Sequence, residues 1–242
     1  MSERENLFRP IHKGIRLMLY QMGSGLQSLD FTDVAESNAA VVRIKRDLGN
    51  AASNCVLCLL TAHAGHEERD IFAKIRVHDA DVVRLVMKEH GEVARRILGV
   101  SKLCDEVTAI ADPQRRVETG DRFVQELNEL IAAYLSHLNT EEATLVPVMW
   151  EWFDDEQIRA MRNIFYESIP LPLFETWMRW TLPSMNTEEL IVLYSGLKVK
   201  PQTPRVKDWV RLAHETLPFE QWLALREGVG VDLPWENQGL TS

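Results

Sequence analysis

Cysteine is scarce in this chain: Cys55, Cys58 and Cys104 are the only three among 242 residues. So few, and an odd number, cannot build a fully paired disulfide framework, and the expected setting is a reducing cytoplasm. Basic residues are outnumbered, 27 Lys and Arg against 36 Asp and Glu, for a net charge of -9. That balance speaks against a nucleic-acid partner, which needs a concentrated basic surface, and against an anionic membrane surface on the same ground. Long apolar runs are missing too. No stretch reaches the roughly 18 residues of a membrane-spanning helix. The charged opening MSERENLFRPIHKG lacks the apolar core of a secretory signal. Strand signals are few, because apolar residues recur at three and four rather than alternating.

What is present is a chain that is 45% hydrophobic, enough for a packed helical core and too apolar for disorder. The spacing predicts a first helix from Pro10 into the low twenties, weakened at Gly23-Ser24-Gly25. A long second stretch runs from Asp30–Asp33 to Ile75, with Gly49-Asn50 as a candidate break. A third runs from Asp79–Asp81 to Leu103. A fourth runs from Pro113 to Trp150, with Gly120 as a candidate interruption. Short connections between long helices predict an all-α, up-down four-helix bundle over residues 1–168. After Ile169-Pro170-Leu171-Pro172 the composition changes. Short helical patterns follow at Leu173–Leu182, Thr187–Leu197, Val206–Thr216 and Phe219–Glu227, separated by prolines. Residues 169–242 therefore read as a C-terminal helical extension. Trp177, Trp180, Trp209 and Trp222 fall within it, which suggests packing against the bundle, a second copy or a protein partner.

One spacing appears twice: His63-Ala64-Gly65-His66-Glu67 and His137-Leu138-Asn139-Thr140-Glu141. A step of four residues turns a helix by about 400° and advances it about 6 Å, so His63 shares a face with Glu67, and His137 with Glu141. These faces are apolar. His63 follows Val56, Leu59 and Leu60, and His137 follows Leu127, Leu130 and Tyr134. His90 is centred among Val83, Val86, Met87, Val93, Ala94 and Ile97, and His12 precedes Ile15 and Leu19. A lone histidine on such a face is commonly a hydrogen-bonded core residue, and a lone His/Glu pair is commonly a solvated surface pair. Together they put a histidine on the buried stripe of each of four helices, where an unpaired carboxylate is costly.

Four imidazoles and two carboxylates suit first-row transition metals better than Mg²⁺ or Ca²⁺, which favour all-oxygen sites. If both glutamates bridge, each of two ions receives two histidines and two carboxylate oxygens. Positions then remain for a solvent-derived bridge and a small ligand such as O₂. Structural zinc favours closed tetrahedral sites, often with cysteine. No Glu-x-x-His and no His-Glu-x-x-His occurs in the chain, which disfavours ferritin-like di-iron sites and zincin proteases.

These six residues resemble the ligand pattern of the hemerythrin-like, HHE cation-binding family: histidine on the first helix, His-x-x-x-Glu on the second, histidine on the third, His-x-x-x-Glu on the fourth. The flanks are similar as well. HAGHEERDIFAKI has Ala73 where the family usually has proline, and HLNTEEATLVPVM has Val146 where an aromatic is usual. The resemblance covers residues 8–160. It implies two non-haem iron ions held by His12, His63, Glu67, His90, His137 and Glu141. The extra histidines with which oxygen-carrying hemerythrins saturate one iron are missing, which speaks against simple reversible O₂ carriage. The tail is similar to extensions on some bacterial members.

The expected function is binding or sensing of O₂, NO, peroxide or iron. The alternatives are a di-iron oxidoreductase acting on O₂, NO or peroxide, and a helical scaffold with a structural metal. His66, about 60° round the helix from His63, is a secondary ligand candidate. Tyr134, one turn before His137, is a candidate hydrogen-bond partner. Cys55-Val-Leu-Cys58 reads as core packing within an apolar helix, with redox coupling as the alternative. His78 and His214 read as solvated. The acidic doublets Glu67-Glu68, Glu141-Glu142 and Asp154-Asp155 read as one member in and one out, or as solvated ends.

Overall fold

The computed structural model describes residues 4–45, 55–199 and 206–230. Among them it is all-α, with no strand. The elements are α1 (Arg9–Leu26), α2 (Val34–Lys45), α3 (Val56–Asp70), α4 (Phe72–Ile75), α5 (Ala80–Ala109), α6 (Pro113–Trp152), α7 (Asp155–Ser168), α8 (Leu171–Ser184), α9 (Thr187–Val199), α10 (Val206–Thr216) and α11 (Phe219–Val229). Among the described residues, no helix is long and apolar enough to cross a membrane.

Local chemistry sets the starts. Asp79 caps α5 by accepting from Asp81 N and Val82 N. Asp112 caps α6 at Arg115 N, with Pro113 filling the first turn, where no donor is missed. Several boundaries differ from the sequence expectation. α1 continues through Gly23-Ser24-Gly25, because its buried stripe extends to Leu26. The expected second stretch is divided into α2, α3 and α4, and Gly49-Asn50 lies outside the described residues. α5 runs on to Ala109, and α6 passes straight through Gly120. That glycine permits a close approach rather than a break: a Cβ there would lie 2.3 Å from Phe31 Cγ. The helix α7 had no counterpart among the sequence-predicted elements. Asp154 and Gln157 form a capping box at its start.

Buried apolar side chains form two clusters, and four helices pass between them. Along α1 the order is Phe8 in one cluster, then His12, then Ile15 in the other. Along α5 it is Val86, His90, Val93. α3 and α6 traverse the same layers in the opposite order: Leu60, His63, Glu67, Ile71, and Leu138, Glu141, Leu145. A thin polar layer therefore lies inside an apolar interior. α5 and α6, joined by a short loop, pack along most of their length.

The C-terminal helices join this core rather than standing apart. α8 lies on α1 so closely that a Cβ on Gly14 would sit 2.8 Å from Thr181 Oγ1 and 2.9 Å from Thr181 Cα. Lys13 on α1 reaches Glu189 on α9 at 2.6 Å. Trp177 on α8 is buried in the same cluster as Leu59 and Leu130.

Candidate metal centre

His12 on α1, His63 and Glu67 on α3, His90 on α5, and His137 and Glu141 on α6 converge in the polar layer, all buried. Their donor atoms form two groups, each within 4.8 Å. One is His12, His63, Glu67 and Glu141; the other is Glu67, His90, His137 and Glu141. The two carboxylates belong to both groups.

Every histidine turns Nε2 inward. His12 Nε2 lies 3.6 Å from Glu67 Oε1 and 3.4 Å from Glu141 Oε2. His63 Nε2 lies 3.3 Å from Glu67 Oε1. His90 Nε2 and His137 Nε2 lie 3.2 and 3.3 Å from Glu141 Oε1. Inward atoms of His12, His63, Glu67, His137 and Glu141 are buried without a hydrogen-bond partner. Buried polar atoms are normally paired, because stranding one costs about 1–3 kcal/mol. Both Glu67 oxygens are among the unpaired atoms. The donor set therefore suits cations, which would satisfy these atoms together.

Without an ion, protons take up part of that role. Burial opposes a charge on His12, yet Glu141, Glu142 and Glu67 outweigh it and push its pKa up to about 10. His90 is raised to about 9, with Glu141 and Glu67 overcoming burial. Burial and the neighbouring Glu141 raise Glu67 to about 8. Glu141 is held well below the usual carboxylate range, because His12 and His90 outweigh its burial. Burial, reinforced by the charge on His12, keeps His63 neutral, far below its ordinary value.

Three more carboxylates face the centre from outside. Glu142 Oε1 accepts from His12 Nδ1 at 2.9 Å, Glu68 Oε1 from His90 Nδ1 at 2.8 Å, and Glu89 Oε2 from His137 Nδ1 at 3.1 Å. Such bonds fix the tautomer and aim Nε2 at the cluster. Arg16 Nη1 in turn holds Glu142 Oε1 at 2.8 Å. The doublets Glu67-Glu68 and Glu141-Glu142 thus have one member in and one out, but the outer members are bonded to histidines. Glu89 was not singled out from the sequence and carried no signal beyond its adjacency to His90.

The remaining sequence candidates fall elsewhere. His66 belongs to neither donor group; its Nδ1 meets Arg69, and its ring edges against Phe165. Tyr134 is buried between the rings of His63 and His137, but its hydroxyl donates to Leu60 O at 3.0 Å. Phe8 lies near the His12 ring, and Phe72 stacks on His90. His78 and His214 are exposed, as expected, though each lies against a tryptophan. Cys55 and Cys58 pack into the core, as expected, but not as two residues within one helix. Cys55 is the N-cap of α3 rather than a residue within it, in extended backbone, and it forms a disulfide with Cys58. Cys104 is free and buried.

The hemerythrin HHE cation binding domain model matches residues 6–149, a span that contains all six converging side chains. No curated protein and no solved structure matches the chain.

Proposed function

The chain belongs to the hemerythrin HHE cation-binding family, and from that premise we propose that it is a non-haem di-iron protein that senses or binds a small ligand: O₂, NO, peroxide or iron itself. The observation that carries this reading is the sharing of Glu67 and Glu141 between two four-residue donor groups. His12 and His63 would hold one ion, His90 and His137 the other, and the two carboxylates would bridge. Mixed imidazole and carboxylate donors suit iron among available first-row metals. When bound, the iron pair supplies a redox-active Lewis acid with positions open to a small ligand.

The chain's own residues shape what can approach. Phe8, Phe72, Tyr134 and Trp177 surround the histidine rings and exclude water from the polar layer. Tyr134 is committed to Leu60 O and raised well above its ordinary pKa by burial, so it is a poor proton donor. An apolar lining favours a small apolar gas and offers few groups to orient a polar organic substrate.

The test is metal content and the visible spectrum of iron-grown protein, followed by stopped-flow mixing of the reduced form with O₂ and with NO. The expected result is about two irons per chain and a new near-ultraviolet or visible band without sustained turnover. Multiple turnovers with a chemical reductant would favour an oxidoreductase instead. A ratio near one with zinc retained, and no spectral response, would leave a structural-metal scaffold.

A further inference from the structure

The four histidines of the centre differ at their outer nitrogens. Three are tied by Nδ1 to a carboxylate: His12 to Glu142, His90 to Glu68, His137 to Glu89. His63 is not. Its Nδ1 is buried and has no hydrogen-bond partner among the described residues. A neutral imidazole that ligates through Nε2 must carry its proton on Nδ1, and here that donor has no acceptor. Nothing fixes the tautomer, nothing raises the basicity of Nε2, and the stranded N–H adds a cost that the other three ligands do not bear.

Beyond the approach of Nε2 to Glu67 Oε1, the His63 ring is held by packing among the described residues. The His12 ring meets it edge-on at 5.2 Å, Tyr134 lies at 6.4 Å, and Trp177 lies at 6.0 Å with its plane tilted by 59°. Tyr134 is fixed by its own bond to Leu60 O. Trp177 is 2% exposed and belongs to α8, beyond the span 6–149 that matches the family. α8 is seated on α1, the helix that carries His12, through the close Gly14–Thr181 approach. Of the four histidines, only His63 thus has a ring of the C-terminal extension against it and no carboxylate behind it, while His12, His90 and His137 are backed by carboxylates.

We infer that His63 is the exchangeable ligand of the centre and that Trp177 is the positioning residue that governs how readily it lets go. The extension is then a working part of the metal centre, and displacement of α8 would open the His12/His63 end selectively. This rests on the di-metal reading above.

The experiment loads the full chain with Co²⁺ and follows release into excess EDTA by cobalt absorbance. The expected result is two ions per chain leaving in two phases. Trp177→Ala and Trp177→Leu accelerate the fast phase by about 10-fold or more, the scale on which ligand-supporting groups act, and leave the slow phase nearly unchanged. Trp177→Phe keeps an aromatic face and stays near the wild type. His63→Gln removes the fast phase and retains one ion. Glu89→Gln accelerates only the slow phase. A tail that merely stabilised the fold would speed both phases equally. That result, a single phase, or release insensitive to Trp177 would overturn the inference while leaving the di-metal reading intact. A wild-type chain that binds fewer than two ions would overturn both.

Discussion

At the scale of single residues, the convergence of these side chains was legible because its physics is written in the spacing. A histidine or glutamate on an apolar stripe needs a partner, and the stripes around His12, His63, His90 and His137 are visible without coordinates. Glu68, Glu89 and Glu142 were not legible as partners, since a carboxylate at the edge of a helix face looks like a solvated one until the neighbouring helix is in place. His66 shows the resolving power of one helical step: it is buried, but it edges against Phe165 on α7 rather than joining the donor groups. His63→Gln is expected to lower iron content sharply, whereas His66→Gln leaves it nearly unchanged. Elemental analysis of the two purified variants checks this, and equal losses would contradict it. A pH effect follows from the same side chains. In the metal-free fold His12 and His90 are raised to about 10 and about 9, and Glu67 to about 8. That fold therefore binds more protons than the unfolded chain between about pH 6.5 and 9, because the unperturbed histidine value is near 6.5. Its stability should fall as pH rises through that window. His63, held neutral, and Glu142, lowered to about 2, act in the opposite sense, but only at more acidic pH. Bound metal requires deprotonated ligands, so its stabilisation grows with pH and should offset this slope. Thermal melts of metal-free and metal-loaded protein from pH 6.5 to 9 read both trends; a metal-free melting temperature that climbs across the range would contradict the assignment.

At the scale of elements, helical periodicity located the helices that carry the converging side chains but not their ends. Gly23-Ser24-Gly25 and Gly120 read as breaks, yet both lie within helices: the buried stripe of α1 runs on to Leu26, and Gly120 serves a close approach rather than chain reversal. Gly120 faces the Phe31 ring, and Arg116 one turn earlier donates to Phe31 O in the same loop, to Val107 O on α5 and to Ser37 Oγ on α2. Gly120→Ala should therefore destabilise the chain by about 1–3 kcal/mol despite alanine's better helix propensity. Chemical denaturation checks the sign; an alanine variant more stable than the wild type would mean that Phe31 moves aside freely. α7 went unread for a different reason. Its capping box, Asp154 with Gln157, was present in the sequence, but the apolar stripe of Ile158, Met161 and Phe165 is short and gains its meaning only from packing on the bundle.

At the scale of the molecule, the tail's aromatic weight signalled packing without naming the surface. Contacts between residues far apart in sequence have no periodic trace, so Trp177 against His63 could not be read beforehand. The structure puts α8 on α1 and its buried residues in the bundle's own core. A chain ending at Ser168 would uncover that face of α1, and its melting temperature should drop by about 5 °C or more. Calorimetry on the shortened and full chains measures the difference; an unchanged value would mean that the extension folds independently of the bundle. The account as a whole depends on two cations sharing Glu67 and Glu141, and anomalous diffraction at the iron edge from iron-loaded crystals tests that most directly. The account predicts two iron peaks, one beside His12 and His63 and one beside His90 and His137, both against the two glutamates. A single peak, or iron bound away from these six side chains, would contradict it.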